Sequence, residues 1–277
     1  MNDFSPTWLD LREAADARAR SADIANAVNA RFALRDELHI LDLGSGTGAN
    51  LRATASLLPQ RQTWTLADRN PALCEAARAR LIRWADTSEV NGERLCLRKG
   101  ALSIAVTFRN DDLSLDTKSV LAEAPDLVTA SAFFDLASKD YIRMLVRAVD
   151  AQKAAFYSAL TYNGLQRWTP HRPADSQIVA AFHRHQMRDK GFGPAAGPLA
   201  AAHLADQFRL TGYLVLEGES PWRLERADRM LIDELVRNNA IAVTETGTVD
   251  QKTIVDWVNV TRAGAYVGHT DTFAVPG

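Results

Sequence analysis

Cysteine is scarce: Cys74 and Cys96 are the only two in 277 residues, too few for a disulfide framework and without a metal-type spacing. No apolar run approaches the ~18 residues that a membrane span requires, so no membrane partner is expected. Charge of either sign is not in excess, with 32 Lys and Arg against 34 Asp and Glu and a formal net charge of −2. The chain therefore lacks the global basic field that nucleic acid or an anionic surface would call for. The opening stretch MNDFSPTWLDLREAAD is acidic and polar, unlike a secretory signal. Repeats and low-complexity tracts are missing as well. These absences lead to the expectation of a soluble, reduced, cytoplasmic protein with no nucleic-acid partner. What is abundant is hydrophobic side chain, 47% of the residues, enough at this length for a full core.

Short apolar runs alternate with helical patterns. Ser21 reads as an N-cap and Ile24, Val28 and Phe32 follow at helical spacing, so residues 7–34 are expected to be helical. Strands are expected over 38–43, 63–67, 104–108, 126–130 and 154–160, with 95–97 a partner of the third. Helices over 48–59, 71–82 and 139–149 fall between them. This alternation predicts an α/β fold with a mostly parallel sheet covered on both faces. Residues 161–212 show no strand pattern: a turn (TPHRPAD), a helix, the loop DKGFGPAAGP and a further helix. The last strands are expected at 213–216 and 265–275.

The segment HILDLGSGTG carries the first chemical signal. Gly44, Gly46 and Gly48 follow a buried strand, where a sheet of this class binds its ligand. Without a Cβ the backbone can turn tightly there and approach a ligand closely. With Ala49 the stretch also satisfies the dinucleotide pattern G-x-G-x-x-A. Asp42 points elsewhere: a carboxylate two residues before the loop does nothing for a pyrophosphate. It suits a ligand with cationic groups, such as S-adenosyl-L-methionine, or else it caps the turn through its own side chain.

Four segments then occur in order: LDLGSGTGAN, LADRNPALCEAAR, FRNDDLS and APDLVTASAFFDLAS. In them the chain resembles the class I S-adenosylmethionine-dependent methyltransferases over about residues 38–162. The resemblance implies a Rossmann-like, mostly parallel sheet of seven strands with helices on both faces. Residues 1–36 would be an N-terminal helical cover. Residues 37–277 would be the methyltransferase domain, which departs from the family in a C-terminal helical elaboration on the acceptor side at about 161–212. It also implies S-adenosyl-L-methionine as cofactor, with Asp42, Gly44, Ser45, Gly46 and Gly48 at the donor loop. Asp68, with Arg69 beside it, would meet the ribose hydroxyls, and Asp112 or its neighbour Asp111 the adenine amino group, Asp112 being the better match. Ala130 and Ser131 would end the strand that faces donor and acceptor. Relatives that methylate nucleic-acid bases or glutamine carry an N-P-P-Y type segment at that strand end. This chain has TASAFFD, which favours a small-molecule acceptor.

Candidate acceptor residues follow from position. Asp135, five residues past the fourth strand, is placed to act as a base, to bind an amine, or to cap a helix. Tyr162 and Asn163 follow the fifth strand and are candidate pocket polars. In AFHRHQMRDKGFGP, His183 and His185 are two apart and lie on different helix faces, so no shared metal is expected. His185 shares a face with Ile178, Phe182 and Asp189 and is the candidate catalytic histidine, with Gln186 and Lys190 as further substrate contacts. Arg167, Arg172, Arg184, Arg188 and Lys190 outnumber Asp175 and Asp189, which tilts the acceptor toward an anion or marks a solvated basic helix. The glycines of DKGFGP make 183–193 a candidate lid. Trp168 and Trp222 either line the pocket or fill the core. The expected reaction is in-line methyl transfer, in which positioning supplies most of the catalysis. An NAD(P)-dependent oxidoreductase and a catalytically inactive metabolite-binding regulator are the alternatives.

Overall fold

The computed structural model describes residues 4–277. Helix α1 (Pro6–Ala19) starts behind Ser5, whose Oγ accepts from the Trp8 N–H at 3.1 Å, with proline in the first turn. Helix α2 (Ala22–Phe32) buries Ile24, Val28 and Phe32. The helical stretch expected over 7–34 is thus broken at Arg20 and Ser21. Ser21 makes no side-chain cap, and its N–H goes to the buried Asp271 carboxylate at 3.0 Å.

Strand β1 (Glu37–Leu43) leads into α3 (Ala49–Thr54), and β2 (Arg61–Ala67) into α4 (Pro71–Trp84). Strands β3 (Thr87–Asn91), β4 (Arg94–Lys99) and β5 (Leu102–Arg109) form an antiparallel meander, followed by α5 (Leu113–Leu121). The chain continues as β6 (Leu127–Ser131), α6 (Lys139–Ala151), β7 (Ala155–Thr169), α7 (Asp175–Gln186), α8 (Ala200–Leu210), β8 (Tyr213–Glu219) and β9 (Trp222–Leu224). Helices α9 (Arg229–Thr246) and α10 (Gln251–Val258) precede the closing strand β10 (Gly264–Pro276).

Among the described residues all ten strands join one sheet in the order β3-β4-β5-β2-β1-β6-β7-β10-β8, with β9 added to β10. Strands β5, β2, β1, β6 and β7 pair in parallel, and β10 enters antiparallel between β7 and β8. The stretch from β5 to β8 is the expected seven-stranded Rossmann-like sheet. Strand β4 is the partner expected at 95–97, whereas β3 and β9 are additions that the sequence reading does not contain. Helices cover both faces. On one face α6 buries Tyr141, Ile142, Leu145, Val146 and Val149 at helical spacing, each worth about 1.5–3 kcal/mol if fully buried. On the other, Ile24 and Val28 of α2, Leu51 of α3 and Leu81 of α4 pack around Trp64.

One expectation fails clearly. Residues 161–212 do hold a strand, because β7 runs on to Thr169 instead of ending near Leu160. Its outer half reads as a turn through Asn163-Gly164, but pairing with β10, from Thr161↔Thr270 to Thr169↔Gly264, keeps it extended. The glycine sits in a bulge on the β7 side, where residues 163–165 lie opposite Gly268 between the Tyr162↔His269 and Gln166↔Val267 pairs. Helix α8 does not belong to a cap either; Leu204 and Phe208 put it back on the sheet beside α6. Among the described residues no helix is long and apolar enough to cross a membrane.

Candidate active site

A cavity of about 1570 Å³ lies beyond the carboxyl ends of β1, β2, β5 and β6. That exceeds the ~300–1,000 Å³ of an ordinary small-molecule pocket, so it has room for two ligands end to end. One end is made by the glycine loop. The other is walled by α7 and α9, and α1 runs over both ends.

At the loop end, Gly44 and Gly46 hold φ of +62° and +53°, in the left-handed region that side chains disfavour. A Cβ on Gly44 would meet the Phe133 ring at 2.7 Å, and one on Gly46 would meet Leu9 at 3.1 Å. The Asp68 carboxylate fastens this loop: one oxygen accepts from the Gly46 N–H and the other from the Asn70 N–H, both at 2.9 Å. Asp68, Arg69 and Ser45 are all on the cavity wall. Gly48 begins α3 with φ of +74° and is set back from it.

The two candidate adenine acids part company. Asp111 reaches the wall and pairs with Arg109, Nε to Oδ2 at 2.7 Å. Asp112, the better motif match, is off the wall: its Oδ1 accepts from the Ser114 N–H at 3.0 Å and hydroxyl at 2.7 Å. Capping α5 claims Asp112, so the preference between them is reversed here.

Asp42 stands behind the loop rather than on the wall. It is wholly buried and accepts from Asn50 Nδ2 at 2.7 Å. Asn50 also donates to Thr129 Oγ1 at 3.1 Å and accepts from Arg20 Nη2 at 2.8 Å. Burial pushes Asp42 up to about 7, opposed by the Asn50 hydrogen bond. Asp42 can therefore reach a ligand only through the loop it supports. Ala130 is likewise sealed in β6, while Ser131 at its end is on the wall. The floor beside it holds Ala132 and Leu160 at φ of +51° and +57°. A leucine rarely accepts that conformation; here the buried Asp271 takes the Leu160 N–H at 2.7 Å and secures it.

The far end is assembled from side chains. Asp135, in the turn after β6, faces the cavity; burial pushes it up to about 6, with Arg12 opposing. Tyr162 is raised first by burial and then by the Asp135 charge, and its hydroxyl meets His183 Nε2 at 2.8 Å. His185 lines the wall, with Nε2 2.9 Å from Glu245 Oε2. Gln186 and Lys190 are wall residues as well, and burial lowers the Lys190 ammonium.

Other candidates are placed elsewhere. Asn163 is off the wall, since its amide donates to Thr270 Oγ1 at 3.3 Å and accepts from the Leu165 N–H at 3.2 Å. Trp222 lines the cavity, whereas Trp168 packs edge-on against Trp257. Of the five cations between 167 and 190, Arg167, Arg172 and Arg184 are not wall residues; Arg167 lies over Tyr266 and Arg184 bonds Thr248. The segment 183–193 is folded down, with the Gly191 and Gly193 N–H groups on Asp189 Oδ1 at 2.6 and 3.1 Å and Phe192 against Phe133 and Tyr141.

Sequence reasoning misses several wall residues, among them Arg12, Gln166, Asn239, Glu245 and His269. Only His269 has a local signal: with Asp271 it puts buried polar groups into an otherwise apolar closing strand. Burial drives its imidazole down to about 3, so the ring is neutral. Among the described residues no three His, Cys, Asp or Glu side chains converge as a metal site would require.

No family model matches the chain, and no curated protein sequence does. Solved structures do match. A protein of Bacillus halodurans, provisionally named a methyltransferase, is 11% identical over 92% of this chain and 100% of its own, with a TM-score of 0.52. A cyclopropane-fatty-acyl-phospholipid synthase-like protein of Lactobacillus casei is 14% identical over 95% and 98%, with a TM-score of 0.51. The YcgJ protein of Bacillus subtilis is 13% identical over 92% and 99%, with a TM-score of 0.50.

Proposed function

The chain has the Rossmann-like fold of the class I methyltransferases. From that premise we propose that it is an S-adenosyl-L-methionine-dependent methyltransferase acting on a small molecule. One observation carries the reading: the glycine loop and the Asp68 carboxylate face one end of a cavity that continues, roofed, toward Asp135. The loop end fits the donor. A side chain would fill the cradle at Gly44 and Gly46, Asp68 would hold the ribose hydroxyls, and Asp111 the adenine amino group. The loop amides would take the donor carboxylate, with Asp42 bracing the loop from behind and Ser131 at the boundary between the two ligands. Bound there, the donor supplies an activated methyl group on its sulfonium, open to in-line transfer.

The remaining work falls to this chain's own residues. Helices α1, α7 and α9 wall the far end. Tyr162, Gln186 and Lys190 would orient the acceptor, and a carboxylate oxygen of Asp135 would take its proton. His185, oriented by Glu245, is the second group able to do so. In this reading residues 1–36 are the cover of a catalytic domain spanning 37–277. Its acceptor-side elaboration is α7 and the folded-down segment after it. Both cysteines are free, in keeping with a reducing, cytoplasmic setting.

Isothermal titration tests the reading. S-adenosylhomocysteine should bind at one site per chain while NADH gives no heat. Binding of NADH in its place would make the chain a dinucleotide-dependent oxidoreductase.

A further inference from the structure

The far end of the cavity is rich in acceptors that have no donor. His269 is 6% exposed, and its neutral ring keeps one nitrogen as an acceptor. Asn239 is 2% exposed; its Nδ2 is committed to the Leu235 carbonyl at 2.9 Å, which leaves Oδ1 buried and unmet. Gln166 Oε1 and Gln186 Oε1 are in the same state. All four side chains are on the wall. A buried acceptor left unmet is unfavourable, so the arrangement suits a ligand that brings hydrogen-bond donors.

The charges agree with that. Arg188 reaches the wall but is occupied by Glu245, through its side chain at 3.4 Å and its carbonyl at 2.8 Å. Arg12 is bidentate to Asp16 at 2.8 and 3.1 Å. Lys190 is the remaining wall cation of the basic segment, and burial weakens its hold on a proton. Asp135 makes no ion pair among the described residues and faces the cavity. The basic segment that tilts a sequence reading toward an anionic acceptor spends most of its charge outside the site.

We propose that the acceptor end binds a small amine carrying further O–H or N–H donors. Its ammonium sits against the Asp135 carboxylate, and its other donors reach Asn239 Oδ1 and the His269 ring. Use of the bound amine as a methyl acceptor rests on the methyltransferase reading; its capture does not. The step asked of Asp135 is one proton transfer, from the ammonium nitrogen to a carboxylate oxygen, leaving a neutral amine with a free lone pair and a neutral carboxyl. Burial that favours the protonated carboxyl makes that transfer less uphill. Trp8, Phe182 and Trp222 offer apolar wall for a ring or carbon chain.

The test is titration of the full chain at pH 7.5, with and without S-adenosylhomocysteine, using ethanolamine, histamine and tyramine as probes. Two near-isosteres of tyramine serve as controls, 4-hydroxyphenylpropionate for charge and 4-hydroxyphenethyl alcohol for neutrality. At least one amine should bind, and the anion should bind about tenfold or more weaker than tyramine. Asp135→Asn should weaken the amine by a similar factor while the affinity for S-adenosylhomocysteine stays within about twofold, and Asn239→Leu should weaken it in the same sense. Melting curves on each variant confirm folding. No binding by any amine, equal binding of the anion, or amine binding indifferent to Asp135→Asn overturns the proposal. Amines binding to a chain that ignores S-adenosylhomocysteine would leave the amine site standing and remove the methyltransferase reading.

Discussion

The two ends of the cavity are built by opposite means. The donor end is largely backbone, a loop held by the Gly46 N–H on Asp68, and its parts come from strand ends that neighbour one another in the sheet. The acceptor end is side chain throughout and draws Arg12, Asp135, Gln186, Asn239 and His269 from five separate elements. Their electrostatics differ in the same direction. The Asp68 and Asp111 carboxylates of the donor end are met by Gly46, Asn70 and Arg109, whereas the acceptor end holds Asn239 Oδ1 and the Gln166 and Gln186 Oε1 atoms buried without a partner. A backbone-built end can be shared by many chemistries; an end made of distant side chains is where specificity resides.

Substitutions should separate the two ends. The largest effect is expected for Gly46→Val, which puts a branched side chain at a positive φ beside Leu9. S-adenosylhomocysteine binding should disappear in calorimetry while amine binding persists; retained donor binding would mean that the loop only packs. Asp68→Ala removes the acceptor of two loop N–H groups and the proposed ribose contact. Donor affinity should fall by about 1.5–3 kcal/mol, and the melting temperature should fall with it because the loop loses its fastening. A normal dissociation constant would refute the assignment.

Asp135→Asn should touch the other end alone, and pH gives a second readout. The native Asp135 value, about 6, lies above the ordinary carboxylate value of ~3.9. The folded chain therefore binds this proton more tightly than the unfolded one, and the ionised group costs stability above the raised value. That cost vanishes as pH falls toward about 4. The variant should melt above the parent at pH 8, and the gap should close on acidification; a gap that widens in acid contradicts the burial. Methyl transfer to an amine that binds should fall in the parent as pH drops through 6. The smallest effect belongs to His185→Ala, which loses a hydrogen bond with a half-exposed Glu245. Turnover should drop more than donor affinity; unchanged turnover would leave His185 a purely structural partner of Glu245.

How much of this is legible in the chain follows from the same contrast. The loop glycines and Asp68 are readable because a strand, a turn and a helix start impose local residue choices. Even there the sequence does not show which of Asp111 and Asp112 lines the cavity, since that depends on a cap for α5, a helix with no clear sequence pattern. The outer half of β7 is misread because Asn163-Gly164 signals a turn, and only the distant β10 keeps it extended. Asn239 is unreadable as a site residue, and the polar residue at His269 marks its strand without showing what it faces. Nothing near either one says that α9 and β10 will meet over a cavity.

The central claim is a backbone-built donor end distinct from a side-chain-built acceptor end, and amide hydrogen exchange with S-adenosylhomocysteine alone tests it most directly. The account predicts slowed exchange in peptides covering 44–50 and 67–70, with peptides from 178–190 and 234–246 unchanged until an amine is added. Protection of the 178–190 and 234–246 peptides by the nucleoside alone, with none at 44–50, would contradict it.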